Sequence, residues 1–261
     1  MKTIKENLKY VHLSLILFAG LSLPIFSEEV KEVKKVAPKS FRLSVGTGAS
    51  FKNNIRKNNQ HSGDGGDILF SPLPFVQFSW GPLFIGQQGL TFSLLGDREK
   101  SFYVNINTGG DRYDGEGMQP RKSSFFAGGG IKYHKFSFHL ARDINGRSHG
   151  IKSSFSYAET YTINETFFTR SALGLDCFDR RYADYYYSIR NSEATSMRAE
   201  YHPQAYCTMG LSFFPGYKFN PNISTVTGLS LKNVAQTVRQ SPTTDGSWLE
   251  LALILGALWQ F

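Results

Sequence analysis

The last fourteen residues, 248 to 261, constrain the fold most strongly, because they form one long apolar segment that runs to the final residue. Counting back from the end, every second residue is apolar, and the other phase carries the only charge, Glu250. Side chains alternate between the two faces of a β-strand, so one face of this segment is uniformly apolar. Soluble domains rarely end in this way, since chain termini usually extend into water.

A second segment, residues 41 to 52, shows the same alternation. Phe41, Val45 and Phe51 lie on one face, and Arg42 and Lys52 lie on the other. This pattern fits a soluble β-sandwich with its apolar face inward and a membrane barrel with its apolar face outward. The ends of the chain decide between them.

The amino terminus, residues 1 to 27, has the organisation of a signal peptide. Lys2, Lys5 and Lys9 precede an apolar run of about 16 residues, which is short against the roughly 20 that a spanning helix needs. We therefore predict cleavage after residue 27 rather than an amino-terminal anchor. At the other end, Gly256, Trp259 and Phe261 resemble the terminal signal by which outer-membrane barrels are recognised for insertion.

The exported chain must then cross the membrane with strands, because no later apolar run approaches the length of a spanning helix. We predict one antiparallel transmembrane β-barrel over residues 40 to 261, with twelve strands and ten as the alternative. Residues 28 to 39 are charged and read as a periplasmic arm. Two short strands, 83 to 87 and 90 to 95, are part of the count. Aromatic residues at 15% and 25 glycines suit such a barrel.

The connections between strands differ in length. Most are short, as expected for periplasmic turns, and four are long and polar, as expected for extracellular loops. The long connections are 53 to 67, 109 to 122, 179 to 203 and 235 to 246.

Several basic residues fall on the inward-facing phase of the predicted strands. They are Arg42, Lys52, Lys132, Lys135, Lys152, Arg170 and Lys232. A basic lumen favours anions if it is open; alternatively, these charges pair with Asp143, Asp176 and Glu250 and fill a closed barrel. The net charge of +8 is scattered among aromatic residues, so nucleic acid is not a predicted partner.

Cysteine usage suggests one covalent link. Cys177 and Cys207 lie near the end of one predicted strand and the start of the next, on the outward face, where adjacent antiparallel strands bring such residues within disulfide reach. Catalytic motifs are absent, and the six histidines lack the spacing of metal ligands. We therefore predict no catalytic, cofactor or metal site.

The tyrosine-rich segment that begins at Asp184 resembles the Tyr-Tyr-Gly-Val-x-x-x-Glu-Ala element of the MipA/OmpV family of outer-membrane proteins. The matching residues are Tyr186, Tyr187, Glu193 and Ala194, with Ser188 and Ile189 in place of Gly and Val. Asp111-Arg112, Ser241-Pro242 and the terminal aromatic residue are also similar to the family.

This resemblance implies a barrel in the bacterial outer membrane, in contact with its lipid. For the family's namesake it implies a non-enzymatic scaffold that joins a lytic transglycosylase to a penicillin-binding protein. The alternatives are a passive channel with mild anion preference and a surface adhesin or receptor. An adhesin would use the tyrosines of loop 179 to 203, which we otherwise interpret as the extracellular aromatic girdle.

Overall fold

The computed structural model describes residues 41–60, 66–87, 89–96 and 99–261, and its strands close into one antiparallel barrel. The strands are β1 (Arg42–Asn53), β2 (Ile68–Trp80), β3 (Leu83–Gly86), β4 (Gly89–Gly96), β5 (Lys100–Gly109), β6 (Ser124–Tyr133), β7 (Phe136–Asp143), β8 (Ile151–Thr162), β9 (Phe167–Phe178), β10 (Tyr206–Asn220), β11 (Ile223–Asn233) and β12 (Leu249–Gln260). The predicted count of twelve is confirmed. The proposed signal peptide, residues 1 to 27, and arm, residues 28 to 39, lie outside the described residues.

The terminal strand behaves as its alternation predicts. Leu251, Leu253 and Leu255 point outward and remain exposed, whereas Ile254 and Leu258 point inward and are buried. The other strands continue this outward apolar belt, which includes exposed Phe, Ile, Leu and Trp side chains around the barrel. A continuous apolar belt on the outside of a closed barrel is the surface that a bilayer covers.

Pairing between the two ends of the chain closes the barrel. β12 pairs with β11 on one side and with β1 on the other, from Ser44↔Gln260 to Lys52↔Ala252. The amide of Phe261 also donates to the carbonyl of Leu43 at 2.8 Å. The carboxyl-terminal residues therefore form the seam at which the first and last strands join and close the barrel.

Large aromatic rings fill part of the lumen, and glycines make room for them. The ring of Phe75 lies against the inner wall at Gly48 and Gly256, where an added Cβ would approach it to 2.8 and 3.0 Å. An inward apolar cluster continues around the wall, formed by Phe168, Phe214, Val226 and Ile254 with Leu73 packed against it.

The described parts of the four long connections fold together above the extracellular end of the barrel, and we call them the cap. They contain α1 (Arg180–Tyr187), a 3-10 helix (Asn191–Glu193) and the short helix α2 (Gln236–Arg239). In the part of the chain that the structure describes, none of the helices is long and apolar enough to span a bilayer. At the opposite end, the described residues between strands form tight turns.

Reversing the polarity of the belt provides a test of the lipid-facing assignment. Leu255→Arg places a charge in the middle of the outward face and should destabilise the barrel by roughly 2–4 kcal/mol. Phe219→Arg, at the periplasmic end of β10, is the matched control and should cost roughly 0–1 kcal/mol. Equilibrium unfolding in lipid vesicles measures both values. Equal costs at the two positions would contradict the assignment.

Candidate functional site

Arg56 holds the cap together, because its guanidinium reaches one partner in each of the other three long loops. Its Nε donates to Asp111 Oδ2 at 2.8 Å, its Nη1 to Thr243 Oγ1 at 2.6 Å and its Nη2 to the carbonyl of Tyr186 at 2.8 Å. The guanidinium also lies 4.2 Å from the ring centroid of Tyr187. A buried arginine with its donors satisfied in this way fixes four loops relative to one another.

Electrostatics explains why this arrangement keeps its charges. Burial by itself would raise the pKa of Asp111, but the charges of Arg56 and Lys52, together with the hydrogen bonds from Arg56 and Tyr187, hold the pKa below its ordinary value. Burial raises the pKa of Tyr187, so its phenol stays protonated and donates to Asp111 Oδ2 at 3.3 Å. Arg56 and Asp111 therefore form an ion pair with no net charge, and the Tyr187 hydroxyl donates a further hydrogen bond to Asp111.

A second buried ion pair joins two of the same loops. Arg121 Nη2 lies 2.6 Å from Glu193 Oε2, and Nη1 donates to Glu193 Oε1 at 2.9 Å. Both side chains are almost fully buried. Although burial opposes ionisation, the hydrogen bonds from Arg121 and from the amides of Gln119 and Arg190 hold the pKa of Glu193 below its ordinary value.

The tyrosines of loop 179 to 203 form the core of the cap, so their assignment to an extracellular girdle is wrong. Asp179 caps α1 by accepting a hydrogen bond from the amide of Tyr182 at 2.9 Å. Tyr182 and Tyr186 are four residues apart, so they share one helix face and are both buried there. The Tyr186 hydroxyl donates to Ser124 Oγ at 3.0 Å. Propensity and composition did not reveal this helix.

A disulfide lies at the base of the same loop. Cys177 on β9 pairs in register with Cys207 on β10, and their sulfur atoms are bonded. The bond ties the two strands where the longest loop leaves the barrel, with Cys207 exposed on the outward side.

Six of the seven basic residues that we predicted to face the lumen do so. Arg42, Lys52, Lys132, Lys152, Arg170 and Lys232 occupy inward positions of their strands. Lys52 pairs with Glu250 at 2.9 Å, and Lys152 Nζ donates to Asn107 Oδ1 at 2.7 Å. Arg170 forms no ion pair with another described residue, and its Nε has no hydrogen-bond partner among them.

Lys135 is a correction to this set. It lies in the turn between β6 and β7 and not in the barrel wall. Its Nζ contacts Glu159, which shares the outward face of β8 with Tyr157 and Tyr161. The alternation of β7 predicted an inward side chain for Lys135, but Lys135 precedes the first residue of that strand, and the period-two pattern does not extend into the turn.

Comparison with known proteins identifies the family. The model of the family "MltA-interacting protein MipA" matches residues 45–261. The chain belongs to this family. Membership and the lipid-facing belt together place this MipA-family protein in the bacterial outer membrane as a β-barrel.

Solved structures resemble the chain at low identity. An outer-membrane channel of Pseudomonas putida F1 is 10% identical, with 88% of this chain and 100% of that chain covered and a TM-score of 0.43. Neisserial surface protein A is 12% identical, with 85% and 97% covered and a TM-score of 0.26. OprG of Pseudomonas aeruginosa is 11% identical, with 86% and 97% covered and a TM-score of 0.26. No curated protein matches the sequence.

The residues of the MipA-type motif have unequal roles in the cap. Tyr186, Tyr187 and Glu193 are buried and bonded to other loops, whereas Ala194 is exposed just after the 3-10 helix. Ser188 stands at the glycine position with φ −75°, which any residue adopts, so the substitution needs no unusual backbone. Arg56 and Arg121 are the partners that sequence reasoning missed, because no local pattern marks them.

Removing one charge of the buried pair tests whether the cap is a single unit. Glu193→Gln leaves Arg121 buried without a counter-ion, and breaking such a pair costs roughly 3–5 kcal/mol. We expect hydrogen exchange to accelerate in loops 110–123 and 188–203. Glu116→Gln, an exposed carboxylate in the same cap, is the control and should leave exchange unchanged. Indistinguishable exchange in the two variants would refute this role for Glu193.

His202 makes one contact of the cap dependent on pH. Its ring nitrogens lie 2.8 Å from Asp184 Oδ1 on α1 and 3.0 Å from Glu200 Oε1, and these hydrogen bonds raise its pKa above 6.5. The stabilisation that protonated His202 contributes is therefore fully present below the pKa of His202 in the unfolded chain. It is lost as the pH rises through the raised pKa of His202 in the folded protein. Limited proteolysis of loop 179 to 203 should become faster from pH 6 to pH 9, relative to His202→Gln. Parallel pH profiles would contradict the assignment.

Proposed function

We propose that this protein is a non-enzymatic scaffold of the outer membrane, which binds a murein-hydrolysing lytic transglycosylase and a murein-synthesising penicillin-binding protein at its periplasmic side. The observation that carries the proposal is membership of the family named for interaction with MltA. Fold alone does not determine a role, so the geometry of the two barrel ends supplies the rest of the support.

The two ends of the barrel offer different surfaces. At the extracellular end, the buried charged groups of the cap, among them Arg56 and Glu193, are engaged within the chain. At the periplasmic end, the turns are short and keep charged side chains at the surface, including Glu99 and His134, which lie 3.1 Å apart and are both about half exposed. A periplasmic enzyme would meet this end.

Residues 1 to 27 and 28 to 39 complete the proposal. We assign the first segment to export and the second to a periplasmic arm whose alternating lysines and glutamates suit a polar partner surface. The arm is tethered directly to β1, so it would hold a bound enzyme against the periplasmic turns.

The two alternatives are less well supported. A passive channel needs a wide path, whereas the cap lies over the extracellular end and the Phe75 and Phe214 rings occupy the inner wall. An adhesin that used the tyrosines of loop 179 to 203 would need them at the surface, whereas Tyr182, Tyr186 and Tyr187 are buried. The inward cations that favoured a channel are partly engaged with Glu250 and Asn107.

Crosslinking in intact cells tests the scaffold. We expect the full chain to co-purify with a lytic transglycosylase and a penicillin-binding protein, and deletion of residues 28–39 to reduce their yield several-fold. Glu193→Gln, which alters only the extracellular cap, is the matched control and should retain both enzymes. Absence of any murein enzyme from the crosslinked material, or equal loss in both variants, would argue against the proposal.

A further inference from the structure

The barrel wall is interrupted between β2 and β5. β3 has only four residues, and β2 pairs with it only through residues 78 to 80. Among the strands that the structure describes, residues 69 to 77 of β2 therefore pair with β1 alone. On the other side of the interruption, β5 pairs with β4 only as far as Ile106. Among the described strands, residues 107 to 109 of β5 pair with β6 alone.

Described residues border this interruption, and we call it the window. Its sides are β2 and β5, and at its lower end lie Gly86, the last residue of β3, and Gly89, the first residue of β4. Its upper edge is a contact between two loops of the cap, where the Asn59 side chain donates to the carbonyl of Arg112 at 3.2 Å and accepts from the amide of Asp114 at 3.0 Å. The interruption is thus a bounded opening below the cap.

The free edge of β2 is unsuited to pairing with another strand. Pro72 and Pro74 lack the N–H group that a ladder requires, and proline within a sheet belongs on an edge. The side-chain amide of Gln87, which follows β3, donates to the carbonyl of Pro74 at 3.4 Å, so the Pro74 carbonyl points into the window. Every second residue of a strand donates on the same edge, so Pro72 and Pro74 remove two successive N–H donors from this edge of β2. Another strand, including one from a second copy of the chain, could not form those two hydrogen bonds.

The outer side of the window lies within the lipid-facing belt. Phe70 and Val76 point outward on β2 with 63% and 55% of their surfaces exposed. They pair in register with Phe51 and Val45, which are outward residues of β1 at 38% and 39% exposure. The higher exposure at β2 reflects the missing neighbour strand. Acyl chains of the membrane therefore reach the opening.

The inner side of the window has one apolar and one polar flank. On the β2 flank, Leu73 packs against the inward cluster that contains Phe214 and Ile254. On the β5 flank, Asn107 donates to Asn105 and accepts from Lys152 Nζ at 2.7 Å. An apolar surface on one flank and an ammonium group beside the other match a molecule with a hydrocarbon chain and an anionic head.

We propose that the window is a lateral binding site for a single-chain anionic amphiphile from the outer membrane. The chain lies against Leu73 and the inward cluster, and the anionic head accepts a hydrogen bond from Lys152. A free fatty acid and a lysophospholipid share this chemistry. The site is separate from the periplasmic surface of the proposed scaffold, so either proposal can fail without the other.

Photo-crosslinking locates the bound chain. The full-length barrel in lipid nanodiscs is incubated with a diazirine-bearing palmitate or with a diazirine-bearing lysophosphatidylglycerol, and the adducts are mapped by mass spectrometry. We expect adducts concentrated in residues 69–77 and 103–109, and the probe that gives them at lower concentration identifies the source. Adducts spread evenly over the outward belt, with no excess at the window, would overturn the proposal.

A charge variant tests the head-group contact. Lys152→Gln should weaken binding of a dansyl-labelled undecanoate about tenfold, because it removes a hydrogen bond to a charged group. Lys232→Gln is the matched control, since Lys232 is an inward lysine on β11, away from the window, and should leave affinity unchanged. Heat-modifiable gel migration verifies that both variants are folded. Equal loss in the two variants, or equal competition by dodecylamine, would overturn the head-group assignment.

Discussion

Backbone hydrogen bonding in lipid is the constraint on which this structure depends. A chain that crosses a bilayer with strands must pair every edge, because an unpaired N–H or C=O in hydrocarbon costs several kcal/mol. Pairing of β1 with β12 satisfies the backbone groups of both strands, and the amide of Phe261 takes part by donating to the carbonyl of Leu43. Where pairing stops, at the window, the chain carries Pro72 and Pro74, which have no N–H to satisfy, and Gln87, which supplies a donor.

Buried charge organises the extracellular end in a different way. The Arg56–Asp111 and Arg121–Glu193 pairs add little net stability compared with apolar packing, but each strongly penalises any arrangement in which one partner is left alone. The described parts of the four cap loops are thereby held in one conformation out of many possible ones. The cap is specified by its ion pairs and filled by the tyrosines of α1.

The asymmetry of the two ends has a functional consequence. The extracellular end is covered by a cap whose buried charges pair within the chain, while the described periplasmic turns are short and carry half-exposed charged side chains. Between them, among the described residues, strand pairing in the wall is interrupted between β2 and β5. The barrel therefore presents two kinds of free surface, a polar one toward the periplasm and an apolar one within the membrane.

The sequence alone determined the barrel, an even number of strands with twelve favoured over ten, and the outward face of β12, because side-chain alternation is a local property of every strand. The same periodicity placed Cys177 and Cys207 on the outward face of adjacent strands, whereas the register that puts them opposite each other came from the structure. Only the tertiary structure decided the burial of Tyr186, the place of Lys135 in a turn and the window. Arg56 reaches partners 55, 130 and 187 residues away, and no local pattern encodes contacts at such separations.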